Sequence, residues 1–238
     1  MEKIKKYTKK SNYSYVIGAF PSIELINKRP DLVKLVLIDP KYYEKDDLIS
    51  ILERKQIAYK LDSKLINRLS NKDNTLVLTL FDKFDNLILN NNHLVLDNIS
   101  DMGNLGTIIR TMNGFGVNDL ALIGNSCDIF NPKVIRASMG SIFNIRFQYF
   151  DTMESYLERY KDRSIKLFML SKDLNDSIYN MKKIDENKLY SLVFGNESSG
   201  LPEYYEKYGN KVFIPQTEDV DSFNLTIAVG IALFEMGR

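Results

Sequence analysis

LVFGNESSGLPEYYEKYGNKVFIPQTEDVDSFNLTIAVGIALFEM, residues Leu192–Met236, decides the architecture. A short apolar run ends in Gly195, a polar loop follows, and a second run, Val212–Ile214, is stopped by Pro215, which denies a further ladder donor. Asp221 or Ser222 then supplies a cap for a helix whose apolar positions Phe223, Ile227, Ile231 and Phe234 recur at helical spacing. Ala228, Val229, Gly230 and Ala232 fill the turns between, so the helix is too apolar for a free surface. The sequence predicts its burial against a sheet or another subunit, with Gly230 permitting close approach. Strand, loop, strand and helix in this order indicate an α/β protein.

Working outward, Leu94–Asp97 and the block Asn98–Arg110, NISDMGNLGTIIR, read as a strand, a polar loop and a helix start. Gly103 and Gly106 lack the Gly-x-Gly-x-x-Gly spacing, and no acidic residue closes a clear second strand roughly 20 residues later, so a nicotinamide or flavin oxidoreductase fits poorly. On a helix beginning near Asn104, Thr107 and Arg110 share a face while Ile108, Ile109 and Met112 serve packing.

Three blocks, Asn98–Arg110, Val193–Leu201 and Ile214–Pro215 through Ser222–Gly230, resemble the SpoU/TrmH-type RNA ribose 2′-O-methyltransferases of the trefoil-knotted SPOUT superfamily. The resemblance covers roughly Asn92 to the C-terminus. It implies a knotted α/β domain that binds S-adenosyl-L-methionine near Gly195, Ile214 and Phe223, and methyl transfer to a ribose 2′-hydroxyl of ribosomal or transfer RNA. It also implies a homodimer, no metal, and catalytic work for Arg110, Asn104, Glu197, Ser222 and Asn224. Asn104 would orient Arg110 or the RNA, and Glu197 would anchor its loop and Arg110. Ser222 and Asn224 would hold the cofactor end, although Ser and Asn also serve helix starts. Two departures from the family pattern are Gln216–Glu218 after Ile-Pro, where Glu218 would crowd or recharge the cofactor mouth, and Phe223 between Ser222 and Asn224. A catalytically silent RNA-binding or assembly protein retaining the fold is the competing reading.

A chain of 238 residues with 44% hydrophobic and 26% charged residues suits two soluble domains. No apolar run approaches the ~20 residues that cross a bilayer, and the start MEKIKKYTKK lacks the apolar stretch of a secretory signal. Cys127 is the single cysteine, which fits a reducing, cytoplasmic setting and offers no zinc pattern. Up to Asp85 there are 17 Lys and Arg against 12 Asp and Glu, and beyond it 15 against 19, so a basic front half precedes an acidic back half. That asymmetry suits an RNA-guiding module joined to a catalytic one, or a solvated basic tail.

The predicted domains are residues 1–85, a small α-β-α-β-α-β module whose size and order resemble the RNA-binding domain that precedes the catalytic domain in this family, a linker at 86–92, and at 93–238 the domain that the resemblance makes catalytic. In the first, Ser22 starts a helix through Lys28, Leu32–Ile38 is a strand, Asp46 or Asp47 starts a helix, Ala58–Leu61 is a strand, Asp62 or Ser63 caps a helix and Thr75–Leu80 is a strand. Tyr13, Tyr15 and Phe20 stack on bases or pack the core. In the second, His93 reads as structural, Leu120–Ile123, Ile142–Phe147 and Lys166–Leu170 as strands, and Asn131–Met139 and Thr152–Tyr160 as helices, with Arg136 on RNA phosphate or in solvent. The charged connection Lys172–Lys188 leads into a strand at Tyr190–Phe194.

Overall fold

A computed structural model describes residues 4–70, 74–171, 173–180, 188–217, 219 and 221–236. In chain order its elements are β1 (Tyr13–Ile17), α1 (Ala19–Lys28), β2 (Val33–Ile38), α2 (Lys45–Arg54), β3 (Tyr59–Leu61), α3 (Ser63–Ser70) and β4 (Val77–Asp82). There follow β5 (His93–Asp97), α4 (Met102–Gly114), β6 (Asp119–Ile123), α5 (Pro132–Ala137), β7 (Arg146–Phe150) and α6 (Met153–Arg159). The last are β8 (Ser164–Phe168), β9 (Tyr190–Phe194), β10 (Asn210–Val212) and α7 (Leu225–Met236).

Two compact units emerge, Met1–Asp85 with Asp128–Asn144, and Asn86–Cys127 with Ile145–Arg238. Asp128–Asn144 therefore groups with the N-terminal unit, whereas the sequence placed it in the C-terminal domain. The reason is packing: Phe130 and Phe143 meet Phe81 edge-on or tilted at 6.3 and 5.2 Å, and the Ser14 hydroxyl donates to the Phe130 carbonyl at 2.7 Å. Arg136 thus belongs to the N-terminal unit.

The first unit holds a sheet in the order β1-β4-β2-β3, with β4 antiparallel to β1 and β2, and β3 parallel to β2. Strand β1, unassigned by the sequence reading, buries Ser14, Tyr15 and Val16, while Phe20 stands 59% exposed. Helix α1 begins at Ala19 rather than Ser22, because Gly18 at φ +110° turns the chain and Pro21 fits the first turn, where its missing N–H costs little. Asp62 accepts from the Leu65 amide at 2.9 Å and caps α3.

The second unit is a six-stranded sheet in the order β10-β8-β9-β5-β6-β7, every pair parallel. Burial on both faces explains why β5, β6 and β9 are nearly continuous apolar runs. One face packs Val95, Ala121, Leu167 and Val193 on Met153 and Tyr156 of α6. Helix α4 lies against α7.

Several strands are shifted, β4 and β8 by two residues each among them. Ser141–Asn144 is a 3-10 turn and β7 starts at Arg146, whose guanidinium grips buried Asp119 at 2.7 and 2.6 Å. Strand β10 ends at Val212, with Phe213 bridged to Ser177. Residues 86–92 are not a bare linker, because Asn86 pairs with Phe147 and the Leu89 amide donates to Asp119 at 2.8 Å.

His93 is fully buried between the Tyr156 hydroxyl at 2.7 Å and the Leu89 carbonyl at 2.6 Å. Arg163 donates to Tyr156 and Ser191, and also to the Asn90 side chain and the Asn91 carbonyl, so the Asn run closes the amino ends of the strands. Burial pushes His93 down to about 4 and Tyr156 up to about 12.

Helix α7 is buried along one side only. Val229, Ala232 and Leu233 point inward, whereas Ile227 is 54% and Phe234 48% exposed. A Cβ on Gly230 would lie 3.9 Å from Thr111, ordinary contact, so packing within one chain does not require glycine there. Glu218 and parts of Lys172–Lys188 lie outside the described residues.

Candidate active site

The polar loop after β5 is held from three directions. Asn98 adopts φ +52° and accepts from the Asn125 amide through its side chain at 2.9 Å, while its carbonyl accepts from Asn196 at 2.9 Å. Asp101 caps α4 by accepting from the Asn104 amide at 2.7 Å. Glu197, from the loop after β9, takes five donors: the Ser100 amide and hydroxyl at 3.2 and 3.1 Å, the Asp101 amide at 3.0 Å, and the side chains of Asn104 and Asn196 at 3.4 and 3.3 Å. Burial opposes ionisation of Glu197, but the backbone donors of its own residue, Asp101 and Ser100, together with Asn104, outweigh it and hold the carboxyl below its ordinary value.

Beside this knot of hydrogen bonds the ends of β8, β9 and β10 enclose a cavity of about 330 Å³. Crevices at the carboxyl ends of parallel strands are the usual ligand sites of open α/β sheets. Phe168 and Phe194 line it as a stacked pair, centroids 4.3 Å apart. Gly195 is required there, since a Cβ would stand 2.2 Å from the Gly200 carbonyl carbon and 2.3 Å from the Leu201 nitrogen. Ile214, Ser222 and Phe223 complete the wall, and the described lining residues carry two acidic side chains, Glu197 and Glu203, and no basic one.

Of the residues expected to act, Gly195, Glu197, Ile214, Ser222 and Phe223 share this cavity, and Asn104 touches it through Glu197. Asn224 does not line it. Its side chain accepts from the Thr226 amide and hydroxyl at 2.8 and 2.6 Å, making it the cap of α7 in place of Asp221 or Ser222. Arg110 is exposed on the third turn of α4 and its side chain has no hydrogen bond or ion pair among the described residues, so neither Asn104 nor Glu197 holds it. Six residues of helix separate it from Asn104 by roughly 9 Å along the axis.

The sequence reading missed Ser100, Asp101, Asn98 and Asn196. An Asp three residues before Asn104 is a helix-cap signal that was available; the Asn98–Asn196 link joins residues far apart in the chain and carries no local signal. Beneath the loop, Asp97 is pushed up by burial despite hydrogen bonds from Tyr205 and Asn98, and Tyr205 is pushed up by burial and by Asp97. No group of three or more His, Cys, Asp or Glu suited to a metal ion occurs among the described residues, and no described helix is long and apolar enough to cross a membrane.

Fold and cavity define an α/β protein with a candidate ligand site at the carboxyl ends of its parallel strands. The sequence model of the SpoU rRNA Methylase family matches residues 91–234. A tRNA/rRNA methyltransferase of Synechocystis, itself uncharacterised, is 34% identical over 146 residues, 61% of this chain and 52% of that protein. The 23S rRNA (guanosine(2553)-2′-O)-methyltransferase of Bacillus subtilis is 28% identical over 144 residues, 60% of this chain and 56% of its own length. The chain thus spans about half the length of these curated relatives. The crystal structure of an AdoMet-bound rRNA methyltransferase from Sinorhizobium meliloti matches with a TM-score of 0.78 and 26% identity, covering 94% of this chain and 87% of that one. The chain belongs to the SpoU rRNA methylase family.

Proposed function

We propose that this protein transfers a methyl group from S-adenosyl-L-methionine to a ribose 2′-hydroxyl of ribosomal or transfer RNA. The observation that carries this reading is the cavity that gathers Gly195, Ile214, Ser222 and Phe223 beside the loop anchored by Glu197. The wall fits the cofactor: apolar surface and a side-chain-free backbone at Gly195 suit a flat nucleoside, and two carboxylates without a basic neighbour suit a cation. When bound, the cofactor supplies an electrophilic methyl on a cationic sulfur.

The remaining work falls to this chain. A ribose hydroxyl is weakly acidic, so its deprotonation needs help and its oxygen needs a fixed approach. Arg110 stabilises the forming alkoxide and an adjacent phosphate, the role a fixed cation with planar donors fills. Glu197 fixes Asn104 and the start of α4, the helix that carries Arg110. Ser222 faces the cavity, and Asn224 sets the first turn of α7.

The reading includes a homodimer in the cytoplasm, trefoil-knot threading around the cavity, and an N-terminal unit that guides RNA. The apolar face of α7 with Ile227 and Phe234 exposed supports dimerisation, as does an Arg110 that stands away from its own chain's cavity. Arg110 of one protomer then serves the cavity of the other. Calorimetry with S-adenosyl-L-methionine tests the first step; a chain that does not bind it is an RNA-binding protein only. Mapping 2′-O-methyl groups on ribosomal and transfer RNA from cells with and without the gene identifies the substrate.

A further inference from the structure

The first described residues form an anchored strap along the N-terminal unit. Tyr13 and Lys5 exchange two hydrogen bonds, Lys5 N to the Tyr13 hydroxyl at 3.1 Å and that hydroxyl to the Lys5 carbonyl at 2.9 Å. Arg68 donates to the Ile4 carbonyl at 3.1 Å, Lys83 to the Lys9 carbonyl at 2.8 Å, and the Lys83 amide to the Asn12 carbonyl at 2.9 Å. Tyr7 donates its hydroxyl to Asp128 and lies under the Lys83 ammonium at 4.9 Å. Thr8 and Ser11 close a turn with backbone and hydroxyl bonds of 2.9 and 3.2 Å. Ile4 and Tyr7 pack against the cluster of Tyr15, Leu35 and Ile66.

Anchoring turns the lysines outward. Lys5, Lys6, Lys9 and Lys10 are exposed, and Lys5, Lys9 and Lys10 have no acidic partner among the described residues. A loose tail would let like charges spread apart; this segment instead holds them in one place by tyrosine and backbone bonds that use none of those three ammonium groups. Fixed, unneutralised cations favour a polyanion, because the ordering entropy is already spent before binding. We propose that Ile4–Asn12 is a preorganised rail for the phosphate backbone of RNA, and that its fixed shape contributes affinity beyond its charge. This rests on the reading that the protein acts on RNA.

The test uses the full chain and a labelled 30-nucleotide RNA hairpin, titrated by fluorescence anisotropy across salt concentrations. Replacing three lysines together (Lys5→Gln, Lys9→Gln, Lys10→Gln) is expected to weaken binding at least ~10-fold at low salt and to reduce the log–log salt slope by about 2. Tyr7→Phe with Tyr13→Phe keeps every charge and releases the strap; it is expected to weaken binding about 3-fold or more with the slope unchanged. Circular dichroism and cofactor calorimetry on the same samples confirm the fold. An unchanged slope in the glutamine variant, unchanged affinity in the phenylalanine variant, or preference of the wild type for phosphatidylglycerol vesicles over the hairpin overturns the proposal. Loss of the enzyme reading would appear instead as a wild type that binds the hairpin and no S-adenosyl-L-methionine.

Discussion

The carboxylate of Glu197 lies 3.0 Å from the Asp101 amide, tying the loop after β9 to the first turn of α4 across 96 residues of chain. Glu197→Gln keeps the size but turns an amide group toward donors that need an acceptor. With the group partly exposed, the stability cost is expected at about 1 kcal/mol, read as a lower urea midpoint. Turnover is expected to fall ~10-fold or more, because the loop that places Asn104 and starts α4 loses its tether. Unchanged single-turnover rates would confine Glu197 to folding.

Gly195→Ala puts a methyl group into backbone that cannot yield, since the nearest atom belongs to the Gly200 carbonyl. Calorimetry is expected to show S-adenosyl-L-methionine affinity reduced by ~100-fold or lost, equivalent to about 2.7 kcal/mol. Gly230→Ala, where a Cβ meets only ordinary contact, is the control and keeps cofactor binding.

Arg110→Ala is expected to lower single-turnover methylation by at least ~100-fold, the scale of removing a charge-stabilising donor, with cofactor affinity and thermal stability unchanged. Stability should hold because the Arg110 side chain has no hydrogen bond or ion pair among the described residues. Arg110→Lys retains a point charge without the planar fork, so poor rescue identifies bidentate contact to RNA. A near-normal alanine variant would remove Arg110 from catalysis.

Ile227→Asp with Phe234→Asp charges the exposed apolar face of α7 without touching Val229, Ala232 or Leu233. Sedimentation is expected to shift from dimer to monomer, with activity lost and cofactor binding weakened less. A wild type that sediments as a monomer at micromolar concentration would end the dimer reading.

His93 gives a pH dependence of defined sign. Burial holds its folded value at about 4, below the ordinary 6.5 of an imidazole, so as pH falls the unfolded chain takes up the proton first. The stability it contributes is present above pH ~6.5 and declines as pH falls toward ~4, by at most about 3 kcal/mol. Urea titrations of wild type and His93→Gln should converge in pH dependence only if another group is responsible; divergence in that window assigns it to His93.

Runs such as Val33–Ile38 and Asp119–Ile123 were legible because burial on both faces leaves little room for polar residues. The cap at Asp62 was legible for a different, local reason: a short side-chain acceptor directly ahead of a helical apolar pattern. Strand β1 was not, since its five residues become a strand only by pairing with β4, which starts sixty residues later. Nor was the facing of α7: in a helix apolar almost all round, periodicity does not say which side meets the sheet. Five candidate residues that the family resemblance named line one cavity, whereas the Asn98–Asn196 link depends on two loops meeting at strand ends. The isolation of Arg110 could not be read at all, because a missing partner leaves no pattern.

The excursion of Asp128–Asn144 into the N-terminal unit bears on biosynthesis. The chain passes between units three times, after Asp85, Cys127 and Asn144, so no single cut separates them. When the first 85 residues leave the ribosome, Phe81 still lacks Phe130 and Phe143, and Ser14 lacks its carbonyl acceptor. The first unit therefore completes only after β5, α4 and β6 of the second have been synthesised, and the nascent halves must mature together rather than in succession. A gene fragment ending at Asp85 would encode an unfinished core, which makes this pair of units poor material for shuffling by end-to-end fusion.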